Sequence, residues 1–446
     1  MREDVLEKYA WQQAYLRTLC DEPDAHFAPM QEAMRRLGVK IPTLPQPLLL
    51  PFEIRSTLQA QVEALAEAFE RSVQDILRGR LPAWMISMRP ESWEVARLDA
   101  DREQAMFCAR FDGFWDDKSG VFQVMECNAG DPSGAGFTDA FLAAMRSLPA
   151  MQKLRCMADI HEDILLDAYA ELANETLAPP AAWVQLSDTA SLVHDEHRLI
   201  VEGLKARGLS ISLADPRFLR WDGKRLWFEE RPIDGVIRDT IDELLLEGYW
   251  PATRPLFDAY RAGAVKLINP FCTIVADYKG LLEPLSSPRY QESLSQEVRA
   301  MLRKCLPWTF VVRDEKVLYE DREVELLSLL RKQRSEWVLK PNEGYGGFGV
   351  ILGRVCSADI WEQTLQEAMR RPFSYVAQRA WPASRGRFVM QDAQGRVQVV
   401  EKNVTLSAWV HKSRFVGCFA RISDSSVINV HQGGALLPVV FVSSST

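Results

Sequence analysis

The chain has no CxxC pair; its eight cysteines stand at positions 20, 108, 127, 156, 272, 305, 356 and 418. That scatter lacks the spacing of a structural zinc site and gives no disulfide framework, so it suits free thiols in a reducing compartment. A basic excess is missing too. Lys and Arg number 53 against 61 Asp and Glu, a net charge of −8. This argues against a nucleic-acid partner, because phosphate backbones need a positive face. Apolar runs such as residues 435–442 fall far short of the roughly 20 residues a membrane helix needs. The opening residues, MREDVLEKYAWQQAYL, are charged and amphipathic, unlike a signal peptide. Internal repeats and low-complexity tracts are absent. Together these absences predict a cytoplasmic protein without nucleic-acid or membrane partners. At 446 residues the chain exceeds one ordinary core, so two or three packed domains are expected.

What is present divides into four stretches. Residues 1–100 read as a helical N-terminal region. Leu58, Val62, Leu65, Phe69, Val73 and Ile76 recur at three- and four-residue steps between 56 and 77, the buried stripe of a helix. Ahead of it, Pro42, Pro45, Pro47 and Pro51 break any helix and predict a surface crossing. Within 101–180 the period changes. Residues 106–114 and 121–127 flank the polar Asp116-Asp117-Lys118-Ser119-Gly120 and predict a β-hairpin, with helices at 138–145 and 156–174 to follow. Residues 181–270 alternate: a strand at 183–186, a helix at 196–207, a strand at 209–213, a small hairpin around Trp221-Asp222-Gly223-Lys224, and a strand at 233–237. Such spacing predicts a parallel, Rossmann-like α/β unit, and its lack of a glycine-rich first turn argues against a dinucleotide site there. Residues 271–446 are mixed: strands at 337–340, 350–353 and 375–379, a helix at 358–369, and several strands from Arg387 onward.

Gly344, Gly346, Gly347 and Gly349 fall within eight residues, directly after the strand that ends in Lys340. A Rossmann turn would open a helix, yet a strand follows. No HRD or DFG motif at protein-kinase spacing appears downstream, and a Walker A loop would carry its lysine after the glycines, not before. Two readings stay open. One is a flexible lid whose bare amides approach phosphates while Lys340 reaches a phosphate oxygen. The other is a glycine-rich hairpin turn with a solvated lysine.

A second constellation lies on the hairpin. Arg110 and Asp112 share one face of its first strand; Glu126 and Asn128 share one face of its second. A hairpin centred near Ser119 places Asp112 opposite Glu126 and Arg110 opposite Asn128. Two carboxylates and an amide oxygen make an all-oxygen set suited to Mg²⁺, and an arginine beside them suits phosphate. The bland alternative is an exposed ladder of opposite charges. After Asn128, the small-residue loop Ala129-Gly130-Asp131-Pro132-Ser133-Gly134-Ala135-Gly136 feeds a helix. Such a turn could bring Ser133 and Gly134 to a substrate anion, or simply cap the helix.

In combination these motifs resemble the circularly permuted ATP-grasp enzymes, including the synthetase domain of glutathionylspermidine synthase. The matching pieces are the R-x-D of Arg110 and Asp112, the E-x-N of Glu126 and Asn128 with Asp131-Pro132 behind it, and Lys340-Pro341 leading into the glycine loop. The resemblance covers residues 100–446. It implies a mixed α+β and α/β fold: a circularly permuted ATP-grasp core, its metal strands coming first rather than last, with the Rossmann-like unit on the substrate side. It implies ATP and Mg²⁺ as cofactors. Asp112, Glu126 and Asn128 would hold the metal, and Arg110 and Lys340 the phosphates. Gly344, Tyr345, Gly346, Gly347 and Gly349 would form the lid. Residues 375–379, with Gln378 and Arg379, resemble the strand presenting backbone to adenine. Lys279 matches an upstream nucleotide-contacting lysine, and Arg421, with Asn429 on the next strand, would face the phosphates. Arg238-Asp239 stand at a strand end where substrate could bind. No amidase domain is recognised, so glutathione and spermidine are not implied.

The activity this implies is ATP-dependent ligation of a small-molecule carboxylate to an amine, through an acyl phosphate and with release of ADP and phosphate. Cys127, between two metal ligands, should face away from the metal. A small-molecule kinase on the same fold, or a non-catalytic nucleotide-binding partner protein, are the alternatives. Neither substrate nor the oligomeric state is encoded legibly.

Overall fold

A computed structural model describes residues 9–130, 132–186, 194–238, 244–245, 248–344, 346–392, 394–428 and 433–444. Asp131, Asp239, Tyr345 and Asn429, all singled out above, lie outside that set. The helical N-terminal stretch contains α1 (Ala10–Asp21), α2 (Asp24–Leu37), α3 (Phe52–Leu77) and α4 (Pro90–Ala96). Every residue of the α3 stripe is buried. Phe69 of that stripe meets Phe111 edge-on at 5.2 Å, and Gln61 donates to Gly120 O and accepts from Phe122 N, both at 2.7 Å. The helix is thereby fixed against the carboxylate hairpin.

The proline-rich segment does not cross the surface. Residues 44–50 are buried, and Leu48–Pro51 form strand β1, parallel to the C-terminal strand β21 (Ala435–Ser444). Proline is tolerated because β1 ends the sheet, so its outer edge carries no ladder to interrupt. Four consecutive buried residues also show no period by which a strand could have been recognised.

The sheet runs β1, β21, β20 (Arg414–Ser423), β19 (Val397–His411), β2 (Cys108–Asp116), β3 (Val121–Asn128). β18 (Ser384–Gln391) pairs with β19, and β4 (Ala158–Glu162) with β21. β4 corrects the expected helix at 156–174. Chain there ends α6 (Pro149–Arg155), adds a strand to β21 and restarts as α7 (Leu165–Thr176). Ahead of α6 lies α5 (Ala135–Met145). β2 and β3 pair as expected, Arg110 opposite Asn128 and Asp112 opposite Glu126, with a bulge beyond Asp112 that leaves Met125 without an opposite number.

A second sheet is wholly parallel, in the order β11 (Lys266–Ile268), β10 (Gly235–Arg238), β5 (Ala181–Val184), β6 (Ile211–Ala214), with α8 (His194–Ala206) between β5 and β6. The strand expected at 233–237 is two. β9 (Arg231–Ile233) belongs instead to a three-stranded meander with β7 (Leu219–Trp221) and β8 (Leu226–Phe228), and Asp234 separates it from β10. The third sheet runs β12 (Thr309–Val311), β17 (Tyr375–Arg379), β15 (Trp337–Pro341), β16 (Ile351–Leu352), beside the hairpin of β13 (Lys316–Tyr319) and β14 (Arg322–Glu325). Trp337, Trp361, Leu365 and Ala377 form its own core. All eight cysteines are free. No described helix is long and apolar enough to cross a membrane.

Candidate functional site

The third sheet faces the large sheet across an open cleft of about 860 Å³. One wall is Val338 and Lys340 of β15, Leu352 of β16, and the run Gln378, Arg379, Ala380 and Trp381. Opposite stand Phe114 of β2, Met125 and Glu126 of β3, Thr405 of β19 and Arg421 of β20, with Ser426, Val427 and Ile428 behind. Gly347 and Val350 of the glycine loop close one side. Of the residues expected from sequence, Glu126, Lys340, Gly347, Gln378, Arg379 and Arg421 thus line one cavity.

Arg110, Asp112, Asn128 and Lys279 stand immediately behind them. Asp112 is 0% exposed. Arg110 grips it bidentately, Nε to Oδ1 and Nη2 to Oδ2, both at 2.9 Å. Arg421 Nη2 adds 2.9 Å and Asn128 Nδ2 3.0 Å to the same Oδ2. Burial pushes this carboxyl up, but Arg110 and Arg421 outweigh it and hold it below the usual carboxylate range. As arranged, Asp112 is a counter-ion to two guanidiniums. Glu126 and Asn128 each have an oxygen to offer a metal. Asn128 points its amide nitrogen at Asp112, leaving its oxygen as the free donor, and Glu126 keeps 29% of its side chain exposed. One carboxylate and one amide oxygen suit Mg²⁺, which takes few protein ligands beside phosphates and water. Among the described residues no group of three or more His, Cys, Asp or Glu gathers as a metal cluster. Cys127 between the two points into the core, its thiol raised by burial.

Lys340 is buried, donating to Gln378 Oε1 at 2.6 Å and Met125 O at 3.4 Å; burial lowers its ammonium to about 8. Lys279 Nζ lies 3.8 Å from Glu126 and donates to Gly344 O at 2.7 Å, which ties it to the start of the glycine loop. In that loop Gly346 and Gly347 both hold φ near 72°, the left-handed region where a side chain is strained. Asn342, fully buried, fastens the loop's base: it donates to Met85 O and Phe373 O at 2.8 and 2.9 Å, and accepts from Gly280 N at 2.7 Å.

Four of the expected substrate or nucleotide contacts have polar groups engaged within the protein. Gly134 N, at the start of α5, already donates to the buried Glu196 at 2.6 Å, so this anion site is filled from within. Ser133 gives its carbonyl to Arg110 Nη1. Arg238 sits at its strand end but is 2% exposed and donates to Asn269 O and Pro270 O, at 2.9 and 2.8 Å, so it braces a loop. β17 is paired on both sides, by β12 and by β15, so its own backbone is taken. Beyond it the Ala380 amide donates to Glu336 O at 2.8 Å, and Ala380 and Trp381 line the cleft.

Residues 47–423 match the sequence pattern of circularly permuted ATP-grasp type 2 proteins. The chain belongs to that family. The ATP-grasp fold is seen again in a glutathione synthetase-like effector from Globodera pallida in its apo form, with a TM-score of 0.62 over 96% of this chain and 98% of that one. At 12% identity this is likeness of fold alone. Uncharacterized proteins of Mycobacterium tuberculosis and Mycobacterium leprae are each 26% identical, over 275 and 279 residues. Those matches cover 59% of this chain and 46% of the relatives, so the chain spans under half their length.

Geometry adds three residues to the ATP-grasp site that motif reading left without a role. Asp277 takes the amides of Ala129 and Gly130 at 2.5 to 3.0 Å, fixing the chain just after Asn128, and burial raises its carboxyl to about 6. A Cβ on Gly130 would come within 2.2 Å of that carboxylate. Asn342 follows Lys340-Pro341 directly, so its position was visible. Glu196 carries no local signal, because its partners are backbone amides some sixty residues away.

Proposed function

We propose that this ATP-grasp chain joins a small-molecule carboxylate to an amine, using ATP and Mg²⁺, through an acyl phosphate. The observation that carries the reading is the convergence of Lys279, Lys340, Arg110 and Arg421 on the hairpin that carries Asp112, Glu126 and Asn128, beside the open cleft. Lys340 and Lys279 would pair phosphate oxygens, and the two arginines would meet charge developing on the transferring phosphoryl group. Glu126 and Asn128 would hold Mg²⁺, which would supply positive charge beside the nucleotide phosphates. The glycine loop, moored by Asn342 and Lys279, would cover the site against water.

In the chemistry proposed, a carboxylate oxygen takes the γ-phosphoryl group and ADP leaves. Amine nitrogen then attacks the acyl carbon, the carbon–oxygen bond to phosphate breaks, and the nitrogen loses its proton to solvent. ADP release across panels of amino acids and amines identifies the substrates. With ¹⁸O in the carboxylate, label is expected in released phosphate; AMP carrying the label would overturn the acyl phosphate. Turnover that needs no amine would point to a kinase.

A further inference from the structure

The Ser133–Gly134 peptide is held at both ends. Its N–H donates to Glu196 Oε1 at 2.6 Å, and its C=O accepts from Arg110 Nη1. These are opposite edges of one rigid plane, so whatever fixes one edge fixes the other. Glu196 Oε1 also accepts from Gly136 N at 3.0 Å, which locks the first turn of α5 in the same grip.

The packing is cut to this arrangement. A Cβ on Gly134 would lie 2.3 Å from the Phe419 ring, and the guanidinium of Arg110 stands over that same ring at 5.8 Å. A Cβ on Gly136 would lie 2.8 Å from Ile200 and 3.1 Å from Glu196, both on α8. Glycine at 136 lets α8 approach until its carboxylate reaches the amides, and glycine at 134 leaves room for the Phe419 ring. Glu196 itself is 1% exposed.

We propose that Glu196 is a positioning residue for Arg110, acting through the Ser133–Gly134 peptide. The carboxylate polarises the peptide, and the polarised carbonyl holds the guanidinium in the place from which it also grips Asp112. A residue of the parallel α/β unit thereby sets a cation of the nucleotide cleft. Burial raises the Glu196 carboxyl to about 7 against the pull of the Gly134 and Gly136 amides and of Arg110. That Arg110 meets phosphate rests on the function proposed above; that Glu196 holds Arg110 does not.

The test uses the full chain with Glu196→Ala, Glu196→Asp and Glu196→Gln. Aspartate is one methylene too short to reach the amides, whereas glutamine keeps an acceptor in place. Labelling of Arg110 by phenylglyoxal, read by mass spectrometry, reports the guanidinium directly. Calorimetry with AMP-PNP and Mg²⁺, against AMP, reports the terminal phosphates. Ala and Asp are expected to raise labelling and to weaken AMP-PNP about tenfold with AMP unchanged, the loss of one charge-assisted hydrogen bond; Gln is expected to restore both. Wild-type labelling in a folded Glu196→Ala or Glu196→Asp protein overturns the proposal. If labelling responds while wild-type chain binds no AMP-PNP, the clamp stands and the ATP-dependent function falls.

Discussion

Arg421 Nη2 reaches Asp112 Oδ2 at 2.9 Å, joining β20 to β2 across the intervening β19. Asp112→Ala would leave two guanidiniums buried without their counter-ion, and breaking such a pair costs about 3–5 kcal/mol. Urea melts are expected to show that loss for Asp112→Ala and under about 1 kcal/mol for Glu126→Gln, whose carboxylate is partly exposed and pairs only at 3.8 Å. Because the Asp112 carboxyl is held below its ordinary value, the stability it contributes is complete at neutral pH. It disappears as pH falls through the depressed value. Equal melts for both variants would refute the buried-triad account.

The metal assignment turns on the other two side chains. Glu126→Gln is expected to abolish Mg²⁺-dependent tightening of AMP-PNP binding with the melt within about 1 kcal/mol of wild type. Asn128→Ala is expected to abolish it too, at a cost of about 1.5–3 kcal/mol because its amide donates to the buried Asp112 carboxylate. A wild-type Mg²⁺ titration curve in Glu126→Gln would remove that residue from the site.

Lys340 gives the cleft a pH dependence. On the proposed function the charged form would pair phosphate, and burial lowers its ammonium to about 8 in the free protein. Above that pH a proton must be taken up on binding, so AMP-PNP affinity is expected to fall by up to about tenfold per pH unit. Below it the affinity should be flat on this account. Lys340→Ala should bind weakly and lose the alkaline limb; persistence of that limb would assign it to another group.

Asn342 is expected to behave as a mooring. Asn342→Ala strands the carbonyl of Met85 and the amide of Gly280, buried groups that cost about 1–3 kcal/mol each when left unpaired, and frees the half-buried carbonyl of Phe373. Limited proteolysis should cut the glycine loop faster in this variant than in wild type. Unchanged cutting with an unchanged melt would show the loop to be anchored elsewhere.

The carboxylate hairpin was legible because strand period and turn position are both local. Even so, its pairs come out right only through the Met125 bulge. Asp116 opposes Val121, and the extra residue shifts the count so that Asp112 meets Glu126. The α3 stripe was legible for the same local reason. β1 and β4 were not, since each is four or five residues long and owes its strand character to β21, far away in sequence. Glu196 and Asp277 were invisible as site residues because they bind backbone amides, which leave no mark on residue identity at the other end. Arg238 and β17 show the converse: a charged strand end and an apolar strand were readable as such, but only the fold reveals that their polar groups are already engaged.

β21 lies among β1, β4 and β20, and Thr43, just ahead of β1, donates to Leu436 O at 2.7 Å across 393 positions. On the ribosome, Leu48, Leu49 and Leu50 therefore emerge long before the strand that covers them. At 5–20 residues per second, that wait is roughly 20–80 s. For that interval a buried apolar strand is an unprotected one, and the carboxylate hairpin belongs to a sheet that cannot close. A nascent chain arrested short of β21 would accordingly present an uncovered apolar strand.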